Sequence, residues 1–307
     1  MENRGFVLEG FYVGHATDRQ NRTGCTAILC PAGAVGGVDV RGAAPGTRET
    51  DLLKPGNLVE RAHCVMLSGG SAFGLEAACG AMDFLREKGI GLPVGVGVVP
   101  IVPSAVLFDL SCGAPVYPDK AMGRAACEAA FSGEEPSWGC VGAGTGATVG
   151  KAAGPAFAMN GGIGYSVIDL PQGGKVACIV AVNAVGDVVD ENGTVIAGMR
   201  APSGTFVNTE DFLLSGGKSQ LLVGTNTTIG AVLTDVALDK AQANRLATVA
   251  HDGYARAIHP VHTQSDGDTI FALSCGDKQE NFVILCTAAA KAMAQAIRNA
   301  VTRGERL

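Results

Sequence analysis

The sequence predicts an α+β protein in which helices pack against sheets, and three observations carry that prediction. Segments with strand and helix character alternate along the 307 residues. The run Val176 to Val182 is continuously apolar, as a strand covered on both faces requires. Glycine is abundant, at 44 residues, while aromatics are only 5%, a composition suited to tight turns and closely packed layers.

A chain of this length can bury a substantial core. No linker, internal repeat or low-complexity tract divides it, so residues 1–307 are expected to form one domain. Charged residues are 17% and mean hydropathy is positive, which implies a large interior or much surface buried between subunits. A net charge of −6 without a lysine or arginine cluster argues against a nucleic-acid partner. No apolar run approaches the roughly 18 residues of a membrane span, and Met1 to Gly5 lacks a signal-peptide stretch. The ten cysteines form no C-x-x-C pair and mostly sit in apolar runs. Buried free thiols and a reducing, cytoplasmic compartment follow, and no ligands cluster at metal spacing.

In chain order, Gly14 to Asp18 reads as a turn and Cys25 to Cys30 as a strand. Gly36 to Asp51 reads as a polar loop with paired charges, including Glu49, of the kind that lines a site or simply connects elements. A strand over 62–67 leads into Ser68 to Gly74 and a helix over about 71–88, with Ser71 as N-cap and Gly89 as C-cap glycine. Ser71 is not an esterase elbow, because Phe73 stands where G-x-S-x-G needs glycine. Residues 91–118 are proline-punctuated strand and turn material. Asp119 can cap a helix over 120–131. Gly142 to Ala147 fits G-x-G-x-x-A, but Gly150, Gly154 and Pro155 would break the helix that a dinucleotide site needs. Ala152 after Lys151 likewise breaks the phosphate-loop pattern, so no cofactor is expected. Strands over 162–169 and 176–182 follow, the second ending at Asn183, either a turn residue or a polar group aimed into a site. Residues 201–219 read as a flexible loop. Helices are expected over about 238–251, 254–258 and 280–301, a strand over 270–274, and a basic tail at 303–306.

Between the loop and the helix at 238 lies Gly224-Thr225-Asn226-Thr227-Thr228-Ile229-Gly230, flanked by the aliphatic runs 221–223 and 229–233. Two readings stand here. Adjacent threonines suit an ordinary strand. Alternatively, cutting Asn226-Thr227 would give Thr227 a free α-amine, which titrates near pH 8 and can serve as base to its own hydroxyl.

The second reading gains from blocks elsewhere: Gly42 to Asp51, Leu67 to Leu75, Val99 to Pro103, Asp109-Leu110, Gly142 to Gly146, Ala181 to Gly186, Asn226 to Gly230 and Asp266-Gly267-Asp268. Together, and in this order, they resemble the DmpA family of self-processing peptidases, which includes L-aminopeptidase/D-esterases and β-peptidyl aminopeptidases. The resemblance spans nearly the whole chain. It implies an αββα four-layer sandwich, also found in ornithine acetyltransferases. It further implies self-cleavage into residues 1–226 and 227–307, a tetramer of processed pairs, and no cofactor.

The resemblance implies roles as well. Thr227 attacks the Asn226 carbonyl, and the resulting ester is hydrolysed. The freed amine then activates the hydroxyl toward small peptides, amides or esters. Asn183 matches the asparagine that donates to the oxyanion, a contact worth about 3 to 4 kcal/mol of barrier. Ser265, with Asp266 or Asp268, matches the groups that orient the amine; the alternative reading of Asp266-Gly267-Asp268 is a turn before a strand. Family members also use a tyrosine near the oxyanion, and Tyr117 is the nearest candidate, without the glycine-tyrosine context. An aminopeptidase needs an acid for the substrate ammonium, with Asp119 or Glu49 as candidates. His251 and His262 read as structural, since an amine base needs neither. An acyltransferase of the ornithine acetyltransferase type and an uncleaved binding or scaffold protein are the rival functions.

Overall fold

The computed structural model describes residues 8–218 and 224–302. The expected strand over 221–223 and the basic tail fall outside them.

The principal strands are β1 (Tyr12–Asp18), β2 (Thr23–Val40), β3 (Arg61–Ser68), β4 (Ser104–Val106), β5 (Gly162–Asp169), β6 (Lys175–Asn183), β7 (Thr227–Val236) and β8 (Thr269–Lys278). The helices are α1 (Ala77–Glu87), α2 (Lys120–Phe131), α3 (Thr209–Leu214), α4 (Lys240–Ala255) and α5 (Phe282–Thr302). A nine-stranded sheet runs β5-β6-β7-β8-β2-β3-β4 and then Thr47–Arg48, with β1 paired to β2. β7 and β8 are parallel, whereas β6 and β7 are antiparallel.

Side-chain alternation turns this sheet into two packed layers. On β6, Val176, Cys178, Val180 and Val182 share a core with Leu246 of α4 and Met293 of α5. Ala177, Ile179 and Ala181 point the other way, into a core with Ile28, Val65 and Leu67. Cys25, Ala27 and Leu29 of β2 then pack on Ala81 of α1 and Ala126 of α2. The order is therefore helices, sheet, sheet, helices. The continuous apolar run on β6 is explained by its place between two cores. β2 joins the layers: its first half pairs with β1 and β3, its second half with β8, and its register shifts between Leu29 and Ala34.

Several local readings change, among them the helix expected over 254–258: α4 continues to Ala255 and Ile258–His259 is a short strand. Residues 14–18 are strand, not turn, because Gly14 serves close packing: a Cβ there would meet the Ala130 backbone nitrogen at 2.1 Å. The polar loop begins later than residue 36, since β2 continues to Val40. The loop over 201–219 contains α3, capped by Asn208 accepting from Asp211 N at 3.0 Å. Ser71 opens a 3-10 turn over Ser71–Glu76, with Gly70 as its left-handed cap, ahead of α1. Gly142 to Gly144 forms a buried 3-10 turn and opens no helix. α4 begins with a capping box between Asp239 and Gln242. Among the described residues, no helix is long and apolar enough to cross a membrane.

Candidate active site

β7 starts at Thr227, and its register places Thr227 opposite Asn183, the last residue of β6. Antiparallel pairing therefore brings a hydroxyl and a carboxamide together from residues 44 positions apart in sequence. On the other side, Asn226 bridges Asp266 in parallel fashion, so the loop before β8 lies against the same peptide bond. Asn183, Asn226, Thr227, Asp266 and Asp268 are all buried.

The Thr227 hydroxyl hydrogen-bonds the carbonyl oxygen of Asn226. The Gly267 N–H donates to that carbonyl at 3.1 Å and to Thr227 Oγ1 at 3.2 Å. Position 267 must be glycine for this, because a Cβ would lie 2.9 Å from Thr227 Oγ1 and 2.6 Å from Ala44 O.

Two carboxylates flank the bond. Asp268 Oδ1 accepts from Thr228 N at 2.7 Å, and its Oδ2 meets His262 Nδ1 at 2.7 Å. Asp266 Oδ2 accepts from Thr263 N at 2.7 Å, while its Oδ1 is buried with no hydrogen-bond partner among the described residues. Burial, then the neighbouring Asp268 charge, pushes the Asp266 carboxyl up to about 6. Ser265 is half-buried and its amide donates to Thr263 Oγ1 at 3.3 Å.

Asn183 is fully oriented. Its Nδ2 donates to Phe108 O at 3.1 Å, and its Oδ1 accepts from Thr148 N at 3.0 Å and Lys151 Nζ at 2.8 Å. Lys151 also donates to Asn183 O at 3.1 Å and to Thr225 O at 3.4 Å. Burial lowers the Lys151 amine to about 7, against the opposing pull of Cys112, Asp266 and Asp268. A cavity of about 340 Å³ opens on the Thr225-Asn226 side of the bond, lined by residues including Arg22, Phe108, Thr148, Lys151, Thr225 and Asn226.

Asp119, Glu49 and Tyr117 do not line this cavity. Asp119 is exposed and caps α2, accepting from Met122 N at 2.9 Å. Tyr117 stacks on Phe73 with ring centroids 5.2 Å apart. Glu49 follows the short strand Thr47–Arg48 and has a buried Oε2 with no partner among the described residues. Sequence reasoning missed Lys151, weighed only as part of a failed phosphate loop, and the Gly267 amide, which no residue-type pattern reveals. It read His262 as structural, and His262 is in direct contact with Asp268.

The model of peptidase family S58 matches residues 8–307. The chain belongs to peptidase family S58. It is thus a member of a hydrolase family that acts on peptide bonds. A Mycobacterium leprae protein described as an uncharacterized aminopeptidase is 44% identical over 272 residues, which cover 82% of this chain and 71% of that one. A 6-aminohexanoate-oligomer endohydrolase of Paenarthrobacter ureafaciens is 35% identical over 285 residues, covering 88% and 74%. Among solved structures, the L-aminopeptidase D-Ala-esterase/amidase of Ochrobactrum anthropi superposes with a TM-score of 0.72 at 17% identity, covering 97% of this chain and 85% of that one. A Burkholderia β-aminopeptidase gives 0.71 at 21% identity over the same shares. At those identities the two structures speak for the fold alone.

Proposed function

We propose that this S58 chain cuts itself between Asn226 and Thr227 and then works as an aminopeptidase or related amidase with Thr227 as its amino-terminal nucleophile. The observation that carries the reading is the Gly267 amide, which donates to both the Asn226 carbonyl and the Thr227 hydroxyl. A donor at that oxygen is where charge develops when the hydroxyl attacks.

In the first reaction Thr227 Oγ adds to the Asn226 carbonyl carbon. The C–N bond breaks, an ester forms, and the nitrogen becomes the free Thr227 amine. Water then hydrolyses the ester and leaves Asn226 with a new carboxylate. In the second reaction the same hydroxyl attacks a substrate amide or ester. The amine takes the hydroxyl proton and passes it to the leaving group, and water releases the acyl group. Asn183 Nδ2 is the oxyanion donor, held in place by Thr148 and Lys151. The unpartnered Asp266 Oδ1 is an acceptor suited to the new ammonium, with Ser265 beside it. Asp268 fixes the strand start through Thr228 N.

Similarity to a 6-aminohexanoate-oligomer endohydrolase and to a protein described as an uncharacterized aminopeptidase supports this chemistry. The reading includes a cytoplasmic setting, in keeping with free cysteines, and a tetramer of processed pairs. Mass measurement of the purified protein tests it. Two chains that end at Asn226 and begin at Thr227 are expected, with turnover of small amides. A single 31.1 kDa chain that turns over neither amide nor ester would favour the scaffold alternative.

A further inference from the structure

We infer that the cavity beside Asn226 is an anion subsite, built around Arg22, which selects substrates whose acyl group carries a carboxylate. The inference rests on the proposed role of Thr227, because that role decides which half of the substrate enters the cavity. In the uncut chain the acyl half of the bond is Thr225-Asn226, and both residues line the cavity. A substrate acyl group bound to Thr227 Oγ takes their place and directs its side chain into the same space.

Among the described residues the lining holds two basic side chains, Arg22 and Lys151, and no carboxylate. Arg22 is permanently charged, and its planar fork suits a carboxylate. One of its nitrogens, Nη2, donates to Asn160 Oδ1 at 2.8 Å. Its Nε is buried with no hydrogen-bond partner among the described residues. A buried donor left without a partner is costly, and a substrate carboxylate would satisfy it. Arg22 is also held in left-handed backbone, at φ 55°, which is uncommon for a residue of this size and clusters at ligand-binding sites. Lys151 supplies a second N–H donor on the Asn183 side. The acids once expected to hold a substrate ammonium, Asp119 and Glu49, lie outside the lining.

Glutamyl and glutaminyl p-nitroanilides differ only in this charge, as do the aspartyl and asparaginyl pair, and kcat/KM for each pair measures the selectivity. The acidic member should be favoured by about tenfold or more, the size of one charge-assisted hydrogen bond. Arg22→Gln should collapse the ratio toward one, and Arg22→Lys should retain part of it. A wild-type ratio of one or below, or a ratio unmoved in Arg22→Gln, overturns the inference. Calorimetric binding of N-acetyl-glutamic acid α-amide against N-acetyl-glutamine α-amide to the native protein needs no turnover. Selective binding there without self-cleavage of the native chain would keep the subsite and remove the nucleophile. Turnover of all four anilides without acidic preference would do the reverse.

Discussion

Asn183 and Thr227 face each other as direct partners across two antiparallel strands, β6 and β7. Both strands are buried on two sides, so their register is tightly specified, and a one-residue slip would reverse every side chain. The meeting of the carboxamide and the hydroxyl is thus fixed by the packing of aliphatic residues several positions away.

Replacement of the nucleophile gives the first prediction. Thr227→Ala should remain a single folded chain with no amide turnover, while Thr227→Ser, which keeps a hydroxyl and the same amine, should still divide. Intact mass after prolonged incubation checks both. Cleavage of the alanine variant at the same bond would refute the mechanism.

Asn183→Ala should lower kcat by about 10²- to 10³-fold, the usual loss for one oxyanion donor. Lys151→Met should reproduce part of that loss by releasing the Asn183 amide from its 2.8 Å contact. Since the two residues share one contact, the double variant should lose less than the product of the single losses. Independent multiplication of the effects would show that Lys151 does not act through Asn183.

The Gly267 amide suggests a steric experiment. Gly267→Ala puts a methyl group 2.9 Å from Thr227 Oγ1, so uncut precursor should accumulate while the far-ultraviolet circular dichroism stays native. Normal processing of this variant would argue against the Gly267 amide as donor to the scissile carbonyl.

Asp266 predicts an acid limb. Its carboxyl is raised from 3.8 to about 6, and its proposed role requires the ionised form, so kcat should rise with pH through about 6. Asp266→Asn should remove this limb as well as most of the rate. The stability effect has the opposite sign. Between the unfolded value and about 6 the folded chain holds a proton that the unfolded chain releases, so this group's contribution to stability falls as pH rises across that window. Chemical denaturation of wild type and Asp266→Asn at pH 4 and pH 7 reads this difference.

His262 is predicted to matter through Asp268. Loss of its 2.7 Å contact in His262→Ala should slow processing, and His262→Asn, which can still donate to the carboxylate, should recover part of the rate. Equal processing rates in wild type and both variants, followed by time-resolved mass measurement, would assign His262 to packing alone.

The sequence alone determined the helix-on-sheet class, because strand and helix periodicities are local and the apolar run on β6 could only be covered on both faces. It also determined α2 with its Asp119 cap, a matter of neighbouring residues. The family blocks pointed to Asn183, Thr227 and the Asp266–Asp268 turn. Tertiary structure decided what depends on distant segments meeting. It made Gly14 part of a strand because α2 approaches there, and it left Asp119 on a helix end away from the cavity. It brought Lys151 onto Asn183, His262 onto Asp268, and Arg22 into the space beside Asn226. The Gly267 contribution is a backbone N–H, common to every residue but proline, and only the path of the chain gives it a target.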